Sequence, residues 1–442
     1  MALLDHPDAQ ALLADATVSA GDVRGCRDRI TRFLKRYLPL FYRQEQRAHA
    51  TAVVRGFLSD LERKTAEPIA RQAGIPRKNL QYFVGCGSWD DEAVMAEMRT
   101  HAREDLADPD AVLVIDPSAF PKKGDDSCGV ARQWCGRLGK VENCQVGVFL
   151  AYAAPGGHAP LDRRLYLPED WAADTERRKK CHVPGDVVFQ ERWRIALDLL
   201  DRSRADFPHA WVAADDEFGR AAEFRAALRH WGERYVLDVP CNTTVRDLDG
   251  RRPPRRKAGV GRKRAVPFRR ADTWAARQPA ARWTRLTIRD GQKGPLEVEA
   301  LTARVRAKQE RRIGPEERLL VVRTLGPGAK TDYALTNAAA DVPLAELVRA
   351  RSERHRIEQM FQEAKGEAGL AHYEVRSWVG WHHHVTLSLL AAWFLSLERR
   401  RFGGKNAGSD RPADAGDLRP AAAQAPADSG RDRRGGQPSA AA

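Results

Sequence analysis

The chain has no C-x-x-C pair, and none of its seven cysteines (Cys26, Cys86, Cys128, Cys135, Cys144, Cys181, Cys241) has a histidine at zinc-finger spacing. This argues against a structural zinc site and leaves reduced thiols as the expectation, with a bridge or metal site on Cys128 and Cys135 the disfavoured alternative. A membrane-spanning run is also missing. The longest apolar stretch, "VTLSLLAAWFLSL" from Val385, falls short of the roughly 20 residues a bilayer requires and reads as a buried helix. The opening "MALLDHPDAQALLADA" carries acids where a secretion leader needs a basic start, so a cytoplasmic protein is expected. No internal repeat is found. Acids are the scarcer charge: 60 Asp and Glu face 74 Lys and Arg, a net charge of +14. Part of that excess follows from an Arg- and Ala-rich composition, but it points to an anionic partner, nucleic acid first.

What is present suits a folded protein of several parts. The 442 residues allow two or three domains, and 43% hydrophobic content permits a substantial core. Residues 1–105 read as helical and are expected to form a DNA-binding domain. Within them "ERKTAEPIARQAGIPRKNLQYF" has the outline of a helix-turn-helix, with Arg77 and Lys78 opening its second helix. Residues 106–240 change pattern. "AVLVID", "NCQVGVFLAYAA", "RRLYLP", "HAWVAAD" and "RYVLDVP" are strand candidates, and helices carrying Trp193, Ala196, Leu197 and Leu200, then Phe224, Leu228 and Trp231, fall between the last three. Residues 241–340 read as a mostly β insertion, rich in cations. Its segment 251–270 holds ten cations and no acid, among them Arg255, Arg256, Lys257, Arg262, Lys263 and Arg264. Helix resumes in 341–402, and the tail 403–442, with one Leu and no aromatic residue, cannot offset its ordering entropy and is expected to be disordered.

The β-β-β-α-β-α-β order makes an open mixed sheet flanked by helices. If the fourth strand joins parallel to the first, Asp116 and Asp215 come side by side at their C-terminal ends, where ligands bind in such sheets. Two adjacent carboxylates repel, and holding both ionised calls for a cation; oxygen ligands favour Mg²⁺ or Mn²⁺. Asp216 and Glu217 compete with Asp215 for that role. A third acid is offered by "SERHRIEQMFQEAKGE", residues 352–367. Ile357, Met360, Phe361 and Ala364 form its buried stripe. Arg354, Glu358 and Lys365 lie within about 40° of one another on the helix surface. Glu358 is either a metal ligand or an exposed acid paired with Arg354 one turn earlier. Lys122 and Lys123, shortly after Asp116, are candidate DNA contacts. The consecutive histidines 382–384 point about 100° apart and cannot converge on one ion.

At these residues the chain resembles the DDE transposases of bacterial insertion sequences. "VLVIDPSAFPKKG" is similar to their first motif, "GVARQWCGRLGKVENCQVGVFLAYA" to its continuation, "VAADDEFG" to the second, and "RHRIEQMFQEAKGEAGLAHYEVRSWVGWHHHVTLSLLA" to the third. Arg354, Glu358 and Lys365 fit the last three positions of a Y-x2-R-x3-E-x6-K signature, with Arg351 in place of its Tyr. Pro117-Ser118 replaces the acidic residue and Thr that often follow the first Asp. The resemblance covers roughly residues 50–402.

It implies an α/β fold: an RNase H-like mixed five-stranded sheet with flanking helices, interrupted by a mostly β insertion and preceded by a helical N-terminal domain. It further implies that Asp116, Asp215 and Glu358 hold two Mg²⁺ or Mn²⁺ ions for strand cleavage at element ends and strand transfer into target DNA. Arg354 and Lys365 would hold phosphates, as would the insertion's cations, and Trp274 or Trp283 would stack on a flipped base. The implied partners are double-stranded DNA and a second copy of the chain, at the bacterial nucleoid and not at a membrane. The rival expectations are a catalytically inactive DNA-binding relic and a structure-selective nuclease of the same fold.

Overall fold

A computed structural model describes residues 20–251, 265–291, 294–309, 312–326 and 328–402. The basic residues Arg255, Arg256, Lys257, Arg262, Lys263 and Arg264, and the tail 403–442, lie outside the described residues. Five helices come first: α1 (Ala20–Tyr37), α2 (Gln44–Phe57), α3 (Ala66–Ala73), α4 (Arg77–Cys86) and α5 (Asp91–Leu106). Gly74, at φ 67°, ends α3 in the left-handed conformation that glycine adopts freely, which produces the turn expected before Arg77. These helices share one hydrophobic core with the sheet; Phe57, Phe83 and Met98 belong to the same cluster as Val114 and Phe149.

The sheet starts with β1 (Val112–Pro121), β2 (Ala131–Cys135), β3 (Lys140–Ala154) and β4 (Gly157–Leu165). The turn at Pro155-Gly156-Gly157 separates β3 from β4, and Gly157, at φ 146°, takes a backbone conformation side-chain-bearing residues rarely adopt. Strand β3 is buried from Cys144 onward, as its continuous apolar run requires of a strand covered on both faces. Helix α6 (Arg192–Asp201) leads to β5 (Trp211–Ala214), and α7 (Asp216–Gly219) with α8 (Ala222–His230) leads to β6 (Tyr235–Val239). Antiparallel pairing joins β1 to β3 and β3 to β4, while β1–β5 and β5–β6 pair in parallel. This is the mixed five-stranded arrangement expected of an RNase H-like core.

Three details differ from the sequence reading. Strand β2 was not expected. Strand β4 starts at Gly157 rather than Arg163, with Pro160 at a register irregularity where its missing N–H is tolerated. In α6 the buried face is Ile195, Ala196, Leu199 and Leu200, so the helix is rotated from the face expected.

The insertion continues the same sheet. Strand β7 (Thr244–Asp247) is followed by β8 (Arg269–Arg270), β9 (Thr284–Gly291), β10 (Gly294–Gln309), β11 (Arg312–Thr324) and β12 (Thr331–Thr336). Strand β12 pairs antiparallel with β6, so one run of hydrogen-bonded strands extends from β2 to β8. Along β11 the side chains alternate between two cores: Leu320 and Val322 face the main one, while Leu319 and Val321 face a second with Trp274 and Val305. Period-two alternation with both faces apolar permits a sheet buried on both sides.

Helices α9 (Leu344–Ser352), α10 (Arg354–Gly366) and α11 (Trp378–Arg401) close the main core. Ser377 caps α11 by accepting from the Gly380 N–H. The expected stripe of Ile357, Met360, Phe361 and Ala364 is the buried face of α10. His382, His383 and His384 each reach backbone carbonyls inside the core, at 2.9 Å from Trp378, 3.2 Å from Val84 and 2.9 Å from Gly369, and share no common point. No helix among the described residues is long and apolar enough to cross a membrane. All seven cysteines are free, so Cys128 and Cys135 are not bridged.

One glycine holds the site's frame. A Cβ on Gly219, at the end of α7, would lie 1.8 Å from the Asp238 carbonyl oxygen of β6. Overpacking of this kind typically costs about 1–3 kcal/mol. Gly219→Ala is therefore expected to lower unfolding free energy by at least about 2 kcal/mol in a urea titration. Gly185→Ala, where a Cβ meets nothing within 4 Å, should change it by under about 0.5 kcal/mol.

Candidate active site

Parallel pairing of β1 and β5 runs from Val112 opposite Trp211 to Ile115 opposite Ala214. The next residue in each segment is an aspartate, Asp116 on β1 and Asp215 just past the end of β5, so the two follow neighbouring strands whose backbones are about 4.8 Å apart. Asp215 also caps α7, accepting from the N–H groups of Glu217 at 3.0 Å and Phe218 at 3.4 Å. Asp215 thus both caps α7 and lines the cleft. Its two acidic neighbours have cations of their own: Asp216 pairs with Arg220 at 2.9 Å and Glu217 with Arg192 at 2.8 Å.

Asp116, Asp215 and Glu358 line one cleft of about 1100 Å³, together with Lys365, Arg192 and the exposed ring of Trp134. Three acids far apart in sequence are thus brought to a single cavity. Burial pushes the Asp116 carboxyl well above its ordinary range, and the charge of Asp215 pushes it further. Burial, then Glu217 and Asp216, raise Asp215 to about 7. Glu358 is held below the usual carboxylate range, first by the His355 imidazole and then by Arg354.

Arg354 lies in the middle of the acids. Its Nη2 is 2.6 Å from Glu358, its Nη1 3.5 Å from Asp116, and its Nε 3.5 Å from Asp238 on β6. Among the described residues, no three side chains of ligand type close on a single point. Glu358 is thus paired with Arg354 and also lines the cleft. The donor set still suits a hard divalent cation: the cavity lining offers carboxylates and neither thiolate nor imidazole. Burial first, then neighbouring carboxylates, disfavour the ionised forms of Asp116 and Asp215, which a cation beside them would favour.

The remaining candidates are spread out. Lys365 lines the cleft, its ammonium 5.4 Å from the Phe120 ring centre and 5.6 Å from that of Phe361. Lys122 donates to the Tyr373 carbonyl at 3.0 Å and lies 3.4 Å from that ring's centre, so its charge is engaged inside the protein; burial brings it down to about 8. Lys123 is exposed. Trp274 is buried in the insertion's core, its Nε1 donating to Asp247 at 2.9 Å, and offers no face to a base. Trp283 is half-buried, with the Arg323 guanidinium 4.0 Å from its ring centre.

Sequence reasoning missed Asp238, Arg192 and Trp134. Asp238 had a readable signal, a lone acid within the apolar "YVLDV" of a buried strand. Arg351, at the signature's Tyr position, grips Asp238 with two nitrogens at 2.7 and 3.0 Å.

A family model described as DDE superfamily endonuclease matches residues 36–295. The chain belongs to the DDE superfamily of endonucleases. The match contains Asp116 and Asp215 and ends before the helix of Glu358. A probable transposase for insertion sequence element IS701 from Microchaete diplosiphon is 32% identical over 196 residues, which is 44% of this chain and 49% of that relative. The chain thus spans about half the length of the curated relative it matches. DDE endonucleases generally use divalent metal ions.

The raised carboxyl of Asp215 makes stability depend on pH. Folded, it keeps to about pH 7 a proton that the unfolded chain releases near its ordinary value of 3.8. The native state binds more protons across that window, so stability falls as pH rises through it. In chelator, the melting temperature should be a few degrees lower at pH 8 than at pH 5, and Asp215→Asn should shrink that difference.

Proposed function

We propose that this DDE endonuclease is a DNA transposase, cutting DNA strands at its element's ends and joining the freed 3′ ends to target DNA. The observation that carries the reading is the meeting of Asp116, Asp215 and Glu358 in one cleft. In this reading the three acids hold two divalent ions, Mg²⁺ or Mn²⁺. Such ions activate water for in-line attack and stabilise the leaving 3′-oxygen.

The rest is supplied by the chain's own side chains. Arg354 and Lys365 flank Glu358 on α10 and serve as phosphate partners, the guanidinium in bidentate fashion. Trp134 offers an exposed ring at the cleft mouth on which a base can stack. Lys123 and the cations Arg255, Arg256, Lys257, Arg262, Lys263 and Arg264 bind backbone phosphates without reading sequence. The helical segment before residue 106 contacts duplex DNA, and two copies act on paired ends at the nucleoid. No covalent enzyme intermediate is required, because water and then the freed 3′-OH act as nucleophiles.

A second reading, a nuclease that stops at hydrolysis, is favoured by the family description itself. The deciding assay incubates the protein with its element's end sequence, a second duplex and Mg²⁺. Joined product supports transposition, and cut ends that never join leave the nuclease. Asp116→Asn, Asp215→Asn and Glu358→Gln should each lower nicking by at least about 10²–10³-fold while DNA binding persists. Unchanged nicking in any of them removes that residue from the site. Changing the six named insertion cations to Gln should reduce the slope of log affinity against log salt by about 0.9 for each phosphate no longer neutralised.

A further inference from the structure

The space between Asp116 and Glu358 is spanned by a side chain. Arg354 is 3.5 Å from the first and 2.6 Å from the second. A divalent ion shared by these acids needs their oxygens at about 2.0–2.1 Å, if it is Mg²⁺. A guanidinium and such an ion cannot occupy that gap together, since both their volumes and their charges conflict. Arg354 is largely buried, with 24% of its side chain exposed, so leaving its partners without a new one would strand a charge in a poorly solvated place.

A third partner is already within reach. Asp238 lies 3.5 Å from the Arg354 Nε. Its strand is fixed by β5 on one side and by β12 on the other, where it pairs with Ala334, and α7 packs against its carbonyl at Gly219. Arg351 holds its carboxylate from the preceding helix and also reaches Asp332 at 3.0 Å. Asp238 is outside the lining of the cleft that holds Asp116, Asp215 and Glu358. It is a fixed anion behind the site, aimed at the one cation that stands in the way.

We propose that Asp238 is a positioning residue: on divalent-cation binding it takes over the Arg354 guanidinium from Asp116 and Glu358. Retained there, Arg354 stays at the border of the cleft, aligned for a phosphate. The inference rests on the reading of Asp116 and Glu358 as cation ligands. Without Asp238, the remaining ion-pair partners of Arg354 among the described residues are these two acids, and it competes with the ion for them.

The test measures Mn²⁺ binding to the full chain, without DNA, by electron paramagnetic resonance. Asp238→Asn should weaken Mn²⁺ binding by about tenfold, the lower end of what removing a supporting group behind the ligands does to metal affinity. Asp238→Glu, which keeps the anion, should restore most of it. In an Arg354→Gln background the same Asp238→Asn change should matter by less than about twofold, because its target is gone. Equal weakening in both backgrounds, or unchanged binding in Asp238→Asn, overturns the proposal. A second measurement needs no folded Asp238 variant. The Arg354 Nε–H NMR signal of the unaltered protein, assigned by its loss in Arg354→Gln, should shift on adding Mg²⁺; a signal that stays put also overturns it. Mn²⁺ binding that survives Asp116→Ala unchanged would overturn the metal-ligand reading itself, a separate failure.

Discussion

Two aspartates at the ends of adjacent parallel strands, largely withdrawn from water, set the terms for everything around them. Charges so placed repel each other and lose hydration, and the fold answers with a guanidinium instead of removing either acid. Arg354 satisfies that need only from a helix held at one angle, so the apolar stripe of α10 and the core beneath it serve the electrostatics as much as stability. Arg351 and Asp238 extend the same balance of charge one layer further from the cleft. The result is a cluster in which no acid can change its charge state without disturbing the others.

The sheet makes such a cluster tolerable. Helix α10 packs on β1 and β3, α6 on β3, and α7 and α9 on β5 and β6, while the insertion's strands bury one face in a second core. Strands packed by helices and paired along both edges are firm supports. Acid side chains at their ends therefore keep their spacing, which side chains on loops would not.

Much of this was legible in the sequence where a single physical signal dominated. The apolar runs of β1, β3, β5 and β6 and the 3.6-residue period of α10 were plain, and with them came the pairing of Asp116 with Asp215. Helix geometry likewise ruled out a shared ion for the consecutive histidines of α11. What escaped was governed by tertiary contact. Strand β2 is five residues with polar and exposed positions, a pattern that only pairing with β3 makes a strand. The first half of β4 carries Pro160 and Asp162, loop-like residues in sequence, until a register irregularity admits the one and the ion pair with Arg202, at 2.9 Å, offsets the buried charge of the other. The place of Arg354 among three acids could not be read from helix spacing, which reveals its alignment with Glu358 but not the approach of Asp116 and Asp238. Likewise, nothing local marked Trp274 as interior; its burial comes from strands distant in the chain, such as β12 with Leu335.

The junction between β6 and β12 carries a mechanical implication. Four residue pairs from Tyr333 opposite Val239 to Thr336 opposite Val236 weld the insertion to the strand bearing Asp238. A pull on the insertion is shared between that ladder and the packing of α9 on β9, β10 and β11, and the ladder's share falls on the strand that bears Asp238.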